Sequence, residues 1–117
     1  MKPTPSLSHL KQKIQKFIHE RDWEQFHSPK NLSMSLAIEA AELMEHFQWV
    51  DGAEAATRAQ DPRHRAAVAE EIADVCCYLL SLVNTLDLDL SEITADKLAR
   101  NAVKYPLETF RGKFERL

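Results

Sequence analysis

The 117-residue sequence contains no long apolar run and very little cysteine. No segment approaches the roughly 20 apolar residues that span a bilayer, and the polar amino terminus lacks the apolar core of a signal peptide. The two cysteines, Cys76 and Cys77, are adjacent within an apolar stretch, which is the wrong spacing for CxxC redox chemistry or zinc binding. We therefore predict a cytoplasmic protein with no membrane partner, whose cysteines belong to the core.

A basic excess is also missing. The formal net charge is −3, whereas proteins that bind nucleic-acid polymers usually carry a strong basic excess or patch. A polymer is therefore not expected as the partner. A small phosphorylated ligand stays open, because a few local cations and a bound metal suffice to hold one.

The composition is that of an ordinary globular chain, with 44% hydrophobic and 28% charged residues. Its length predicts one small domain over residues 1–117, with a modest core that oligomerisation could complete.

Hydrophobic periodicity and capping signals predict four helices. The first begins near Leu7 and ends near Arg21, and the second runs from about Lys30 to Trp49 or Val50. The third runs from about Arg63 to Leu86, and the fourth from Leu90 to about Lys104. The connection over residues 53–65 has uncertain helical character. Phe110 and Phe114 could pack against a neighbour.

Two of these helices carry carboxylates in pairs, Glu39 with Glu42 and Glu71 with Asp74. Residues three apart lie on one face of a helix. On the second helix this stripe continues through His46 and is expected to reach Trp49. Apolar residues surround both stripes, so the carboxylates are predicted to point into a crevice between helices.

The carboxylates have no basic partner on their own helices. No Lys or Arg occurs between Lys30 and Arg58, or between Arg65 and Lys97. Grouped carboxylates repel one another and either take up protons or bind a hard cation such as Mg²⁺ or Mn²⁺. A solvated acidic face is the simpler explanation for one pair, but two matched pairs on apolar helices favour a metal site.

Two further features suit a nucleotide, although each has a simpler explanation. Trp23 lies in an aromatic-rich connection and could stack on a base, or it could plug the end of the bundle. Lys97, Asn101 and Lys104 share one face of the fourth helix and could clamp phosphates, or they could form a solvated basic side.

The order and spacing of these residues resemble a known family. Glu39-Ala-Ala-Glu42, 28 intervening residues and Glu71-Ile-Ala-Asp74 are similar to the ExxE…ExxD signature of the MazG-like all-α nucleoside triphosphate pyrophosphatases. The resemblance is strongest to the dCTP pyrophosphatase branch. It extends over the following segments: residues 20–27, Pro29, Asn31-Leu32, Phe47-Gln48-Trp49, Tyr78, Asn101 and Lys104-Tyr105-Pro106.

The resemblance implies an all-α, four-helix-type bundle completed by dimerisation, as a homodimer or homotetramer. It implies hydrolysis of a (deoxy)nucleoside triphosphate to the monophosphate and pyrophosphate, with Mg²⁺ assisting attack of water on the α-phosphorus. The roles that it implies are metal binding and catalysis for Glu39, Glu42, Glu71 and Asp74, and substrate binding for Trp23, Trp49, Tyr78, Lys97, Asn101, Lys104 and Tyr105. Ile14 stands where we align a base-pocket histidine of the vertebrate enzymes, so the base preference stays open.

Two other classes of protein share some of these features. A ferritin-type di-iron bundle needs Glu-x-x-His on two helices, but His46 follows Glu42 at the fourth position and no histidine follows Asp74 on its helix. A non-enzymatic helical interaction module would expose its acidic stripes to solvent and use its aromatic residues to bind a partner.

Overall fold

The structure is a computed structural model that describes residues 2–113, and all regular elements in this range are helical. The predicted all-α class is therefore confirmed. The elements are α1 (Leu7–Glu20), a short 3₁₀ helix (Glu24–Phe26), α2 (Pro29–Glu45), α3 (Gly52–Arg58), α4 (Pro62–Thr85), α5 (Leu90–Lys104) and α6 (Leu107–Phe110). No helix in the described range is long and apolar enough to cross a membrane.

The chain divides into two compact units, Met1–Asp87 and Leu88–Leu117. In the first unit α4 is the central element and packs against both α2 and α1. The residues buried there are Ile18, Leu32, Leu80, Val83 and the hydroxyl-bearing Ser81. The amide of Asn84 also donates to the carbonyl of Lys11 at 3.0 Å, which ties the carboxyl end of α4 to α1.

Local signals explain where the helices begin. Ser28 precedes Pro29, and its hydroxyl accepts a hydrogen bond from the backbone of Asn31 at 3.1 Å. Proline suits the first turn because its missing N–H has no helical partner to lose. Asp89 caps α5 in the same way, through the backbone N–H of Glu92 at 3.0 Å.

The helix boundaries differ from the predictions mainly at the end of α2. This helix ends at Glu45, not at Trp49 or Val50. Tighter turns follow, in which Phe47 N–H bonds the Met44 carbonyl at 2.9 Å and Gln48 N–H bonds that of Glu45 at 3.4 Å. Apolar periodicity does not distinguish a last α-helical turn from such turns.

The connections hold more helix than the sequence indicated. Residues 53–58 of the uncertain connection belong to α3, which begins at Gly52 and is capped by the carboxylate of Asp51. After α5, Pro106 precedes α6, and the ring of Phe110 packs edge-to-face on Tyr105 with centroids 5.2 Å apart. Phe110 therefore has a neighbour within its own unit, while Phe114 lies outside the described residues.

The apolar residues around the carboxylate stripes are less covered than expected. Helices that are apolar nearly all round predict burial on several sides. In this single chain several of these side chains are exposed: Met34, Ile38, Met44 and Ile72. α2 and α4 thus keep apolar surface that no part of the described chain covers.

Candidate functional site

Three of the four predicted metal ligands meet where α2 packs on α4. Glu39, Glu42 and Glu71 each offer a carboxylate oxygen, and these oxygens all lie within 4.8 Å of one another. They meet because each helix presents its acidic residues on one face. Glu39 and Glu71 are half-buried at this α2–α4 contact, whereas Asp74 is exposed.

Two of these carboxyl groups are partly withdrawn from water. Glu39 and Glu71 are half-buried, and the Oε2 atom of each is buried without a hydrogen-bond partner among the described residues. A buried polar atom without a partner costs free energy. A bound cation would give these two oxygens the partner that the described residues do not provide.

The pKa of Glu39 is raised from 4.5 to about 7. The largest cause is a hydrogen bond with the Glu42 carboxyl, which can form only while one of the two groups is protonated. Desolvation and the charges of Glu42 and Asp74 raise the pKa further. Desolvation, followed by the charge of Glu42, also raises the pKa of Glu71.

Asp74 lies at the edge of this cluster. It does not belong to the group of oxygens within 4.8 Å. Its charge nevertheless acts on both Glu39 and Glu71, which places it beside them. The structure thus brings together three of the predicted ligands and leaves the fourth as a close neighbour.

The cluster fits a hard divalent cation. It offers several carboxylate oxygens, two of them buried and unpartnered, and a cation there would remove the repulsion that raises the pKa of Glu39. Mg²⁺ is typically held by one or two carboxylates, with water and substrate phosphates as further ligands. The donor set therefore suits Mg²⁺ and does not resemble a nitrogen- or sulfur-rich transition-metal site.

The two tryptophans lie beyond opposite ends of α2. Trp23 precedes the helix, is 43% exposed and packs edge-to-face on Phe17 with centroids 5.8 Å apart. Trp49 follows the helix and is 86% exposed. The 17 residues of α2 span about 25 Å at 1.5 Å per residue. Trp23 and Trp49 are therefore attached next to different ends of one helix.

The remaining predicted substrate residues lie on α4 and in the second unit. Tyr78 is half-buried and follows Asp74 by one helical turn. In the second unit Lys97, Asn101 and Lys104 do share a face of α5, because the helix is continuous over them. The Lys104 ammonium lies 5.4 Å from the centre of the Tyr105 ring.

One cluster near the carboxylates was not predicted in full. His46, part of the predicted stripe, meets His64 of α4 edge-to-face with ring centroids 5.6 Å apart. His64 also meets Phe47, at 5.4 Å. The sequence did contain a signal, since His64 precedes Glu71 by seven residues and so lies on the same face two turns earlier.

Comparison with known proteins gives a family match. A sequence model of the MazG-like family matches residues 34–114, most of the chain. The chain belongs to the MazG-like family. The resemblance inferred from the ExxE…ExxD pattern is thereby confirmed.

Individual relatives of this MazG-like chain include dCTP pyrophosphatase 1 of Rattus norvegicus and of Homo sapiens. They are 41% and 39% identical to it over 110 residues, which is 94% of this chain. The chain spans 65% of the length of these relatives. A solved structure of a pyrophosphatase from Archaeoglobus fulgidus is 35% identical with a TM-score of 0.80, over 91% of this chain and 97% of the other.

Proposed function

We propose that this MazG-like protein hydrolyses a (deoxy)nucleoside triphosphate to the monophosphate and pyrophosphate, with dCTP or a modified dCTP as the preferred substrate. Removal of unwanted nucleotides from the precursor pool would be its role. The observation that carries the proposal is the three-carboxylate cluster between α2 and α4, with its unpartnered buried oxygens. The names of the relatives, dCTP pyrophosphatase 1 and pyrophosphatase, support the proposal that pyrophosphate is released.

Glu39, Glu42 and Glu71 would hold Mg²⁺, or Mn²⁺ as a substitute, with Asp74 beside them. When bound, the cation would offset the negative charge of the phosphates and polarise the α-phosphate for attack. A carboxylate that is not fully committed to the cation can accept the proton of the attacking water. Asp74 suits this role by its place at the edge of the cluster.

The other predicted residues would bind the substrate. Trp23 and Trp49 offer flat aromatic surfaces for the base, and Tyr78 lies one turn from the cluster on α4. The α5 face would contact the sugar or the phosphates through the following side chains: Lys97, Asn101, Lys104 and Tyr105. Lys97 and Lys104 are exposed, so their ammonium groups are available to an anion.

A homodimer or homotetramer would complete this site. Trp23 precedes an α2 of about 25 Å and Trp49 follows it, and pairing of two protomers would bring Trp23 of one chain beside Trp49 of the other. The exposed apolar surface of α2 and α4, including Met34, Ile38 and Ile72, supports such pairing.

A substrate panel tests the activity. The protein is incubated with Mg²⁺ and canonical or modified NTPs and dNTPs, and pyrophosphate and phosphate are scored separately. Glu39→Gln and Asp74→Asn should abolish pyrophosphate release with the helical circular dichroism unchanged, whereas Glu54→Gln, an exposed acid on α3, should not. Full turnover in both site variants, or phosphate as the product, would refute the proposal.

A complementation experiment tests the two-protomer site. Trp23→Ala and Trp49→Ala are each expected to be nearly inactive. Mixed and re-assembled, they should recover about a quarter of wild-type activity, because about half of the dimers are mixed and each has one intact site. No recovery, together with a monomer in light scattering, would place the whole site in one chain.

The remaining alternatives predict different ligands. A non-enzymatic interaction module would show no change in Tm on addition of dCTP and Mg²⁺, whereas an enzyme is stabilised by its ligand. A di-iron bundle would purify with stoichiometric iron.

The cytoplasmic location stays a prediction, which imaging of the tagged protein can test.

A further inference from the structure

We infer that the cavity between α1 and the carboxyl half of α4 receives the nucleobase, and that the hydroxyl oxygens of Thr85 and Ser81 select a base with an exocyclic amine. The inference rests on the proposed function and deepens it, because it names the group that distinguishes cytosine from uracil. It starts from a cavity that the carboxylate cluster does not use.

The cavity lies within the first unit, where α1, the short 3₁₀ helix and α4 face one another. Its volume is about 620 Å³, within the range of small-molecule sites. From α4 it is lined by Ser81, Asn84 and Thr85, and from α1 Ile18 supplies an apolar side chain. Because the Asn84 amide donates to the Lys11 carbonyl at 3.0 Å, the α4 wall is held against α1.

The cavity continues the stripe that carries the carboxylates of α4. Asp74, Tyr78, Ser81 and Thr85 follow one another at spacings of three or four residues, so they lie on one face of the helix. Ser81 is seven residues beyond Asp74, which is about 10 Å along the helix axis. That separation is comparable with the reach of a nucleotide from its α-phosphate to the far edge of its base. A substrate with its phosphates at the cluster can therefore place its base in the cavity.

The charged groups at the cavity already have partners of opposite charge. The Lys16 ammonium lies 3.6 Å from the Glu20 carboxylate, and His19 Nδ1 lies 2.8 Å from Glu24 Oε1. A phosphate would have to compete with these two carboxylates, whereas a neutral base would not. The cavity therefore suits the base better than the phosphates.

The hydroxyl groups on the α4 wall have committed their hydrogens. Ser81 Oγ donates to the Cys77 carbonyl at 2.8 Å, and Thr85 Oγ1 donates to the Ser81 carbonyl at 3.0 Å. A hydroxyl has one hydrogen and two lone pairs, so each oxygen can still accept. Cytosine presents an amino group where thymine and uracil present a carbonyl. The amine can donate to these oxygens, whereas the carbonyl would face their lone pairs unless a hydroxyl gave up its backbone bond.

The test compares dCTP with dUTP, which differ at this group. Thr85 is exposed, so Thr85→Val, which keeps the shape of the side chain and removes the hydroxyl, should leave the fold intact. The ratio of kcat/KM for dCTP to kcat/KM for dUTP should fall about three- to tenfold, the value of one hydrogen bond. Ser81→Ala should lower the same ratio.

The matched control is Thr57→Val on α3. The Thr57 hydroxyl makes the same kind of bond, to the Ala53 carbonyl at 3.2 Å, but it does not line the cavity. Its removal should leave the ratio at the wild-type value. An unchanged ratio in both Thr85→Val and Ser81→Ala would overturn the inference, as would equal losses on dCTP and dUTP.

A binding measurement separates this inference from the proposed function. In NMR titrations of the wild-type protein, the backbone amide signals of residues 81–85 should shift more with deoxycytidine than with deoxyuridine. Equal shifts with the two nucleosides, or shifts confined to other residues, would overturn the inference even where pyrophosphate is released. The expected shifts without pyrophosphate release from any nucleotide would refute the proposed function and retain the cavity as a base-binding site.

Discussion

Binding of Mg²⁺ should release protons, because the carboxyl groups that would hold it are partly protonated in the metal-free chain. The pKa of Glu39 is about 7, raised by its hydrogen bond with Glu42 and by desolvation. A cation needs the carboxylate, so binding and proton loss are linked. The experiment therefore titrates the protein with Mg²⁺ at several pH values in the absence of nucleotide.

The size of the effect follows from that pKa. With a pKa of about 7, the apparent Kd for Mg²⁺ is multiplied by 1 + 10^(7−pH), which is about 11 at pH 6, about 2 at pH 7 and about 1.1 at pH 8. Affinity should thus weaken about tenfold between pH 8 and pH 6. Proton release per bound ion should be about 0.9 at pH 6, about 0.5 at pH 7 and about 0.1 at pH 8, before any contribution from Glu71.

Titration calorimetry in buffers of different ionisation enthalpy measures both quantities at once. The slope of the observed enthalpy against buffer enthalpy gives the protons released. Glu39→Gln provides the control, since it should bind Mg²⁺ more weakly and lose the release near pH 7. An affinity that is the same at pH 6 and pH 8, with no buffer dependence, would show that Glu39 is already ionised and that the cluster is not assembled as described.

Three further predictions concern stability. In the metal-free chain folded Glu39 keeps its proton up to about pH 7, whereas the unfolded chain releases it near pH 4.5. The free energy of unfolding, measured by urea titration, should therefore fall as the pH rises between these values and level off above pH 7. The Glu39→Gln variant should lose this pH dependence. Leu80 is 1% exposed, so Leu80→Ala should lower the free energy of unfolding by about 2–5 kcal/mol in urea, and a loss below 1 kcal/mol would contradict its place in the core. Ser28→Ala removes the cap of α2 and should cost about 1 kcal/mol, read from the same transition, while Ser28→Asp should cost little.

The sequence was informative wherever a local rule decides the structure. Proline and capping residues set the starts of α2, α4 and α5 to within about one residue, because these signals act through adjacent backbone groups. The predicted end of α2 was wrong because apolar residues at helical spacing also fit the tighter turns after Glu45. The helical character of α3 stayed uncertain for a related reason, since seven mostly small residues give little periodicity.

The sequence predicted a carboxylate site, but it did not predict the geometry of that site. Spacing alone indicated that Glu39, Glu42 and Glu71 would face one crevice, because α-helical geometry fixes which residues share a face. It did not distinguish Asp74, whose place at the edge of the group depends on how α2 and α4 pack. His64 joins His46 through the same packing, which no rule confined to one helix describes.

The packing of α4 on α2 has a consequence for protein engineering. The same helix pair supplies core residues such as Leu32 and Leu80 and carries the mutually repelling carboxylates, so stability and function compete at one interface. Neutral replacements of Glu39 or Glu71 would be enriched in a selection for thermostability without divalent cations. Such a selection would improve the scaffold while eroding the site, a trade-off common where active sites hold unfavourable charge. Divalent cation in the selection buffer would reverse that pressure.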